Sequence, residues 1–90
     1  MEVEFDPLKA KSNLKKHSVS FEEAITALLD ERANWIEDPD SLGENRWVLR
    51  GLSSRDNLLT VVITLRWDRF RVISARKATK TEARYYAKRI

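Results

Sequence analysis

The sequence contains no cysteine and a single histidine, His17. Without cysteine there is neither a disulfide nor a thiolate-bound metal, and one imidazole excludes a multi-histidine zinc or iron site. No apolar run approaches the roughly 20 residues of a membrane span. The opening residues, MEVEFDP, lack the basic-then-apolar pattern of a signal peptide. These absences point to a reducing cytoplasmic setting, with no membrane, no metal and no cofactor. The 90 residues suffice for one domain, 1–90, with a single modest core.

Charge is what the chain has in quantity, and it is unevenly placed. Residues 1–45 carry five Lys/Arg against eleven Asp/Glu, a net −6, whereas residues 46–90 carry twelve against three, a net +9. Nine of those twelve are arginine, whose planar fork matches phosphate. A basic half of this kind suits either a polyanionic partner or a solvated surface.

Periodicity supplies the elements. Val3-Glu4-Phe5 reads as a short extended start. Asp6-Pro7 reads as an N-cap with proline at the first helical position, opening a helix to His17 with Leu8, Ala10 and Leu14 as a thin apolar stripe. Ser20-Phe21-Glu22-Glu23 is a capping box. Behind it Phe21, Ala24, Ile25, Leu28 and Leu29 repeat at the spacing of a buried helical face. Strands are expected at 33–37, 46–52, 58–67 and 70–76, where β-branched and aromatic residues concentrate between short breaks. LLTVVITLRW is apolar at nearly every position, which suits a central strand. Thr79-x-x-Glu82 is a second capping box, followed by Ala83, Tyr86, Ala87 and Ile90 as a final helical stripe. The expected fold is α+β: two N-terminal helices, an antiparallel meander and a C-terminal helix.

Alternation along the strands divides the sheet into two faces. Leu59, Val61, Ile63 and Leu65 form an apolar face for the helices. Arg46, Arg50, Thr64, Arg66, Ser74 and Arg76 then share the other, while strict alternation sets Arg71 with Ile73 and Ala75. Glu44 precedes Arg46 by two residues, within reach of the same rim. Several arginines on one face with a nearby carboxylate suit phosphate binding; each residue alone is ordinary strand surface.

Four sequence blocks resemble the BrnT family of ribonuclease toxins. They are Phe5-Asp6-Pro7-x-Lys9-Ala10; Asn13-Leu14-x-Lys16-His17-x-Val19-Ser20-Phe21-Glu22-Glu23-Ala24; Glu44-x-Arg46 with Gly51; and Arg71-Val72-Ile73-Ser74-Ala75-Arg76-Lys77-Ala78 with Glu82 and Tyr85. The resemblance implies a RelE-like fold, metal-free RNA cleavage in a type II toxin–antitoxin module, and a cognate antitoxin similar to the ribbon-helix-helix protein BrnA, through which alone promoter DNA is bound. Three departures stand out: Ser18 where glycine is usual, Phe5 where tryptophan is common, and Arg55-Asp56-Asn57 where many members have Gly-Arg.

Metal-free cleavage requires an activated 2′-hydroxyl, a stabilised phosphorane and a protonated leaving oxygen. Arg76, Arg46 and Arg66 are the expected phosphorane-facing donors. An exposed strand arginine contributes little to stability, so Arg76→Ala is expected to leave the melting temperature nearly unchanged. His17 is read two ways, as general acid or base or as a helix-terminating residue that offsets the dipole. Glu44 is either the base or an ion-pair partner of Arg46. Arg50, Arg71, Lys77, Ser74 and Tyr85 are the expected RNA contacts, with Tyr85 either stacking on a base or packing at the sheet edge. Trp35 and Trp47 read as core; Trp67, at a hairpin end, is open. Two alternatives remain: a non-catalytic RNA-binding module, or a protein-interaction subunit whose charge serves antitoxin pairing. The two helices before the sheet, and the lack of glycine in 72–90, count against a double-stranded RNA-binding domain.

Overall fold

A computed structural model describes residues 2–40, 43 and 45–88. In chain order the elements are β1 (Glu2–Glu4), α1 (Pro7–His17), α2 (Phe21–Ala27), β2 (Asn34–Glu37), β3 (Arg46–Leu52), β4 (Leu58–Arg66), β5 (Arg69–Lys77) and α3 (Lys80–Ala87). The strands make one sheet in the order β1-β5-β4-β3-β2, with β4 at its centre as expected. Strands β2 to β5 form the antiparallel meander, but β1 lies parallel to β5, so the sheet is mixed rather than wholly antiparallel. A meander leaves the outer edge of β5 unpaired. Strand β1 takes part of that edge, aligning Glu2 with Arg69 and Glu4 with Arg71.

Helix α2 lays Phe21, Ala24 and Ala27 on Leu49, Leu59, Val61, Ile63, Val72 and Ala75, all fully or almost fully buried. Phe5 meets Phe21 edge to face, with ring centroids 5.5 Å apart. The helix ends sooner than its apolar spacing suggests. Leu28 N–H turns back to the carbonyls of Ile25 and Thr26, so Leu29 falls past the last turn and is exposed, and Ile25 sits only at the core margin. Gly51 allows the close approach beneath that helix end: a Cβ there would stand 2.5 Å from the Ala27 carbonyl oxygen.

Helix α1 is oriented differently from its expected stripe. Leu8 and Leu14 face outward, whereas Asn13 is buried. Asn13 Nδ2 donates to the carbonyls of Val19 (2.9 Å) and Ala75 (2.8 Å), and its Oδ1 accepts from Ala75 N–H (3.1 Å). One side-chain amide thus pairs with both backbone groups of a residue on β5 beyond the end of β1. The helix closes at Ser18 in the left-handed conformation (φ 59°, ψ 27°), its N–H bonded to Leu14 O. The departure from glycine therefore leaves this turn in place, with a serine in backbone space that favours glycine.

Helix α3 carries both halves of the capping box at Thr79 and Glu82. Its expected apolar stripe is not what docks it. Ala87 is exposed, Ile90 lies outside the described residues, and the buried residue of the helix is Glu82. Polar contacts hold it instead, through Glu82 and a hydrogen bond from Tyr86 Oη to Asp30.

Candidate functional site

The side of the sheet away from α2 presents three cross-strand rows. Arg50–Thr60–Arg76 is the first, Val48–Val62–Ser74 the second and Arg46–Thr64–Arg71 the third. Strict alternation put Arg71 on the opposite face. A β-bulge between Val62 and Ile63, opposite which Ile73 is the additional residue of β5, reverses the parity there. Val72 then points into the core and Arg71 joins the arginines. The bulge therefore enlarges the face instead of interrupting it. Lys77, expected among the RNA contacts, aligns with core-facing Leu59 and acts electrostatically on Glu23 of α2, on the other side.

The two rows that contain arginines carry acids. Arg76 holds Glu82 through both terminal nitrogens, Nη1–Oε1 at 2.7 Å and Nη2–Oε2 at 2.9 Å. Arg50 Nε stands 3.6 Å from the same carboxylate, and its guanidinium lies 6.0 Å from the Tyr85 ring centroid. Burial pushes the Glu82 carboxyl up, but Arg76, the Thr79 N–H and the nearby Thr60 hydroxyl together outweigh it and hold the pKa at about 2. In the third row Arg46 Nε donates to Asp38 (2.9 Å) and Nη2 to the Asp40 carbonyl (3.0 Å), while Arg71 Nη2 meets Glu4 at 3.1 Å. Arg69 pairs with Glu2 at 3.0 Å. Arg66, at the exposed end of β4, makes no ion pair among the described residues.

The proposed donors are not brought to one point. Arg46 and Arg50 are four residues apart on β3, about 13 Å along a strand, so Arg46 does not share a centre with Arg76. Arg66 lies farther still. Glu44 lies outside the described residues. Tyr85 is exposed on α3, between the Arg50 guanidinium and Lys88 Nζ, the latter 5.9 Å from its centroid. Trp67 is 98% exposed at the β4–β5 hairpin.

A groove of about 180 Å³ adjoins this face, between α1 and β5, lined by Lys9, Ser12, Asn13, Lys16, His17, Ile73 and Ser74. Ser74 belongs to both surfaces: it lines the groove beside His17 and stands on the arginine face two residues from Arg76. No carboxylate lines the groove, and Lys9, Lys16 and His17 make no ion pair among the described residues. Lys9 and Lys16 are exposed, and what sequence reasoning missed is that they border a groove shared with β5. The available signal was that Lys9, Asn13, Lys16 and His17 recur at the spacing of a buried helical stripe, with polar residues in place of apolar ones. Among the described residues no three His, Asp or Glu side chains gather where they could hold a metal ion, and no helix is long and apolar enough to cross a membrane.

A mixed sheet with α2 packed on one face and arginines, bound in part by α3, on the other fits the RelE-like α+β class that the sequence led to expect. The family of "Ribonuclease toxin, BrnT, of type II toxin-antitoxin system" matches over residues 5–82. The chain belongs to that family, and is the ribonuclease toxin of a type II pair, with an antitoxin as its partner. The crystal structure of the Brucella abortus ribonuclease toxin, BrnT, superposes with a TM-score of 0.70 at 20% identity, over 89% of this chain and 99% of that one, a likeness of fold. No curated protein sequence is significantly similar.

Proposed function

We propose that this toxin is an endoribonuclease that cleaves RNA by metal-independent transesterification, centred on the seam where Ser74 joins the groove to the arginine face. In that reaction the 2′-hydroxyl attacks the adjacent phosphorus, the P–O5′ bond breaks, and a 2′,3′-cyclic phosphate and a 5′-hydroxyl result. One proton leaves the 2′-oxygen and another reaches the 5′-oxygen. His17, the single imidazole, carries one of them, and Glu44 is assigned the other. Arg76 stabilises charge on the phosphorane oxygens. Arg46, Arg50, Arg66 and Arg71 bind flanking phosphates along the face, with Tyr85 stacking on a base.

The observation that carries this reading is Ser74 itself, with an imidazole to one side and an arginine about 7 Å along the strand to the other. The ion pairs across the face favour a second reading, in which the arginines serve structure and the protein binds RNA without cutting it. Purified toxin incubated with RNA in the presence of a chelator decides between them. Cyclic phosphate and 5′-hydroxyl ends are expected, and should disappear in His17→Asn. Intact RNA, or cleavage that stops when the chelator is added, overturns the proposal.

The proposal extends to the setting. The antitoxin is a BrnA-like ribbon-helix-helix protein that alone contacts promoter DNA, and the toxin acts in the cytoplasm by cutting RNA, which arrests translation and growth.

A further inference from the structure

Among the basic side chains of this protein, the four paired arginines of the face and the lysines of the groove differ in what an incoming anion would have to displace. At Arg76, Arg50, Arg46 and Arg71 a carboxylate already stands within 3.6 Å. At Lys9 and Lys16 there is none among the described residues, so a phosphate entering the groove releases only diffuse counterions. The groove has a neutral, fixed floor: the Asn13 amide is fully engaged with Val19 and Ala75 and is held in one orientation. Lys9, Ser12 and Lys16 follow one another at i, i+3 and i+7 along one shoulder of α1, facing Ile73 and Ser74 across the gap. The groove is open to solvent and has a volume of about 180 Å³. That is room for a phosphate group.

We infer that this groove is an anion seat in which Lys9, Lys16 and the Ser12 hydroxyl hold a phosphodiester of the RNA strand next to the one that is cleaved. The inference rests on the ribonuclease reading and adds to it. It gives the strand a path from the groove, over Ser74, onto the arginine face. It also assigns binding, not proton transfer, to two lysines on α1. A competing explanation for Lys16 is compensation of the helix dipole, since Lys15, Lys16 and His17 all fall in the last turn of α1. That explanation applies equally to Lys15, which does not line the groove.

The test uses full-length toxin and a 2′-O-methyl oligonucleotide, which lacks the nucleophile and is bound without being cut. Binding is measured from low to high salt for wild type, Lys9→Gln/Lys16→Gln and the charge-matched control Lys11→Gln/Lys15→Gln. For single strands each lost phosphate contact lowers the log–log salt slope by about 0.7, so the groove variant should lose about 1.4 and bind roughly 25–100-fold more weakly at low salt. The control should retain most of both. With cleavable RNA the groove variant should raise KM and leave kcat and its pH profile unchanged. Equal losses in the two double variants, or none in either, overturn the anion seat while wild-type binding and cleavage still stand. A wild type that fails to bind the oligonucleotide overturns the ribonuclease reading and the seat together.

Discussion

The arginine face and the α1–β5 groove lie side by side, share Ser74, and carry charge of the same sign under opposite conditions. On the face, acids from other elements sit against the arginines: Glu82 from α3, Asp38 from just beyond β2, Glu4 from β1. In the groove the cations have no carboxylate partner among the described residues. A cation already paired is part of the fold, and its removal leaves its partner without compensation. A free cation contributes little until a ligand arrives. The same substitution, a positive side chain replaced by a neutral one, should therefore report on stability in one region and on binding in the other.

The largest difference is expected at Arg76. Arg76→Ala strands the buried Glu82 carboxylate with only Arg50 nearby and should destabilise by about 2 kcal/mol. That corresponds to a fall in melting temperature of about 10 °C in a domain of this size. The structure thus corrects the expectation, drawn from strand exposure alone, of a nearly unchanged melting temperature. Thermal denaturation of Arg76→Ala beside Lys9→Gln/Lys16→Gln makes the comparison directly, since the lysine variant should stay within about 0.5 kcal/mol of wild type. If both melt together, the face is screened by solvent and the two regions are energetically alike. Loss of RNA cleavage in Arg76→Ala is expected at about 10²–10³-fold in kcat, and is interpretable only at temperatures where the variant remains folded.

The next effect is a pH dependence. The Glu82 carboxyl is held down to about 2 in the folded protein, against an ordinary value of 4.5. A depressed carboxyl pKa contributes stability that is fully present above the unfolded value and is lost as pH falls toward the folded one. Unfolding free energies measured from pH 5 down to pH 2 should therefore decline, with about 2–3 kcal/mol of the decline removed in Glu82→Gln. Glu23 and Asp30 are also held low, burial opposing and hydrogen bonds from Asn57, Ser53, Leu52 and Tyr86 prevailing, so the variant should keep a residual slope. An acid limb identical to that of wild type would deny Glu82 its role in fastening α3 to the face.

The smallest effect sharpens the groove. Ser18→Gly relieves a left-handed serine directly behind His17 and should stabilise by about 0.5–1 kcal/mol. Oligonucleotide affinity should not change, because Ser18 does not line the groove. A gain in stability accompanied by weaker binding would mean that the turn sets the position of the groove wall.

How much of this was legible in the sequence depends on the range over which each feature is decided. The capping box at Thr79, the central position of β4 and the shared face of Arg50 and Arg76 follow from neighbouring residues and strict alternation; at Ser20 only the serine half of the expected box forms, because Glu23 turns to Ser53 and Asn57 instead. The bulge at Ile73 carries no glycine or proline to announce it, so Arg71 was placed on the wrong face. The parallel pairing of β1 depends on an edge that exists only after the meander forms. Helix α1 misleads through its leucines, because a helix lying against a strand edge, rather than a sheet face, is met there by backbone polar groups. A buried amide suits that edge better than leucine does. Glu82 was recognised as a cap, but its second partnership with Arg76 requires α3 to fold back over the sheet. The groove followed the same rule: its residues were quoted as a motif, and their convergence with Ser74 is a tertiary fact.

Asn13 has one further consequence. Open strand edges invite other chains to extend the sheet, the route by which many β-proteins polymerise. Beyond β1, β5 would offer such an edge, and the Asn13 amide closes it at Ala75 by occupying its N–H and its carbonyl together. Proteins commonly guard an edge with a charge or a proline, which repels or blocks an arriving strand. Here a single side chain imitates the arriving strand. At the margin where the groove opens, a strand from another molecule would find the backbone groups of Ala75 already taken.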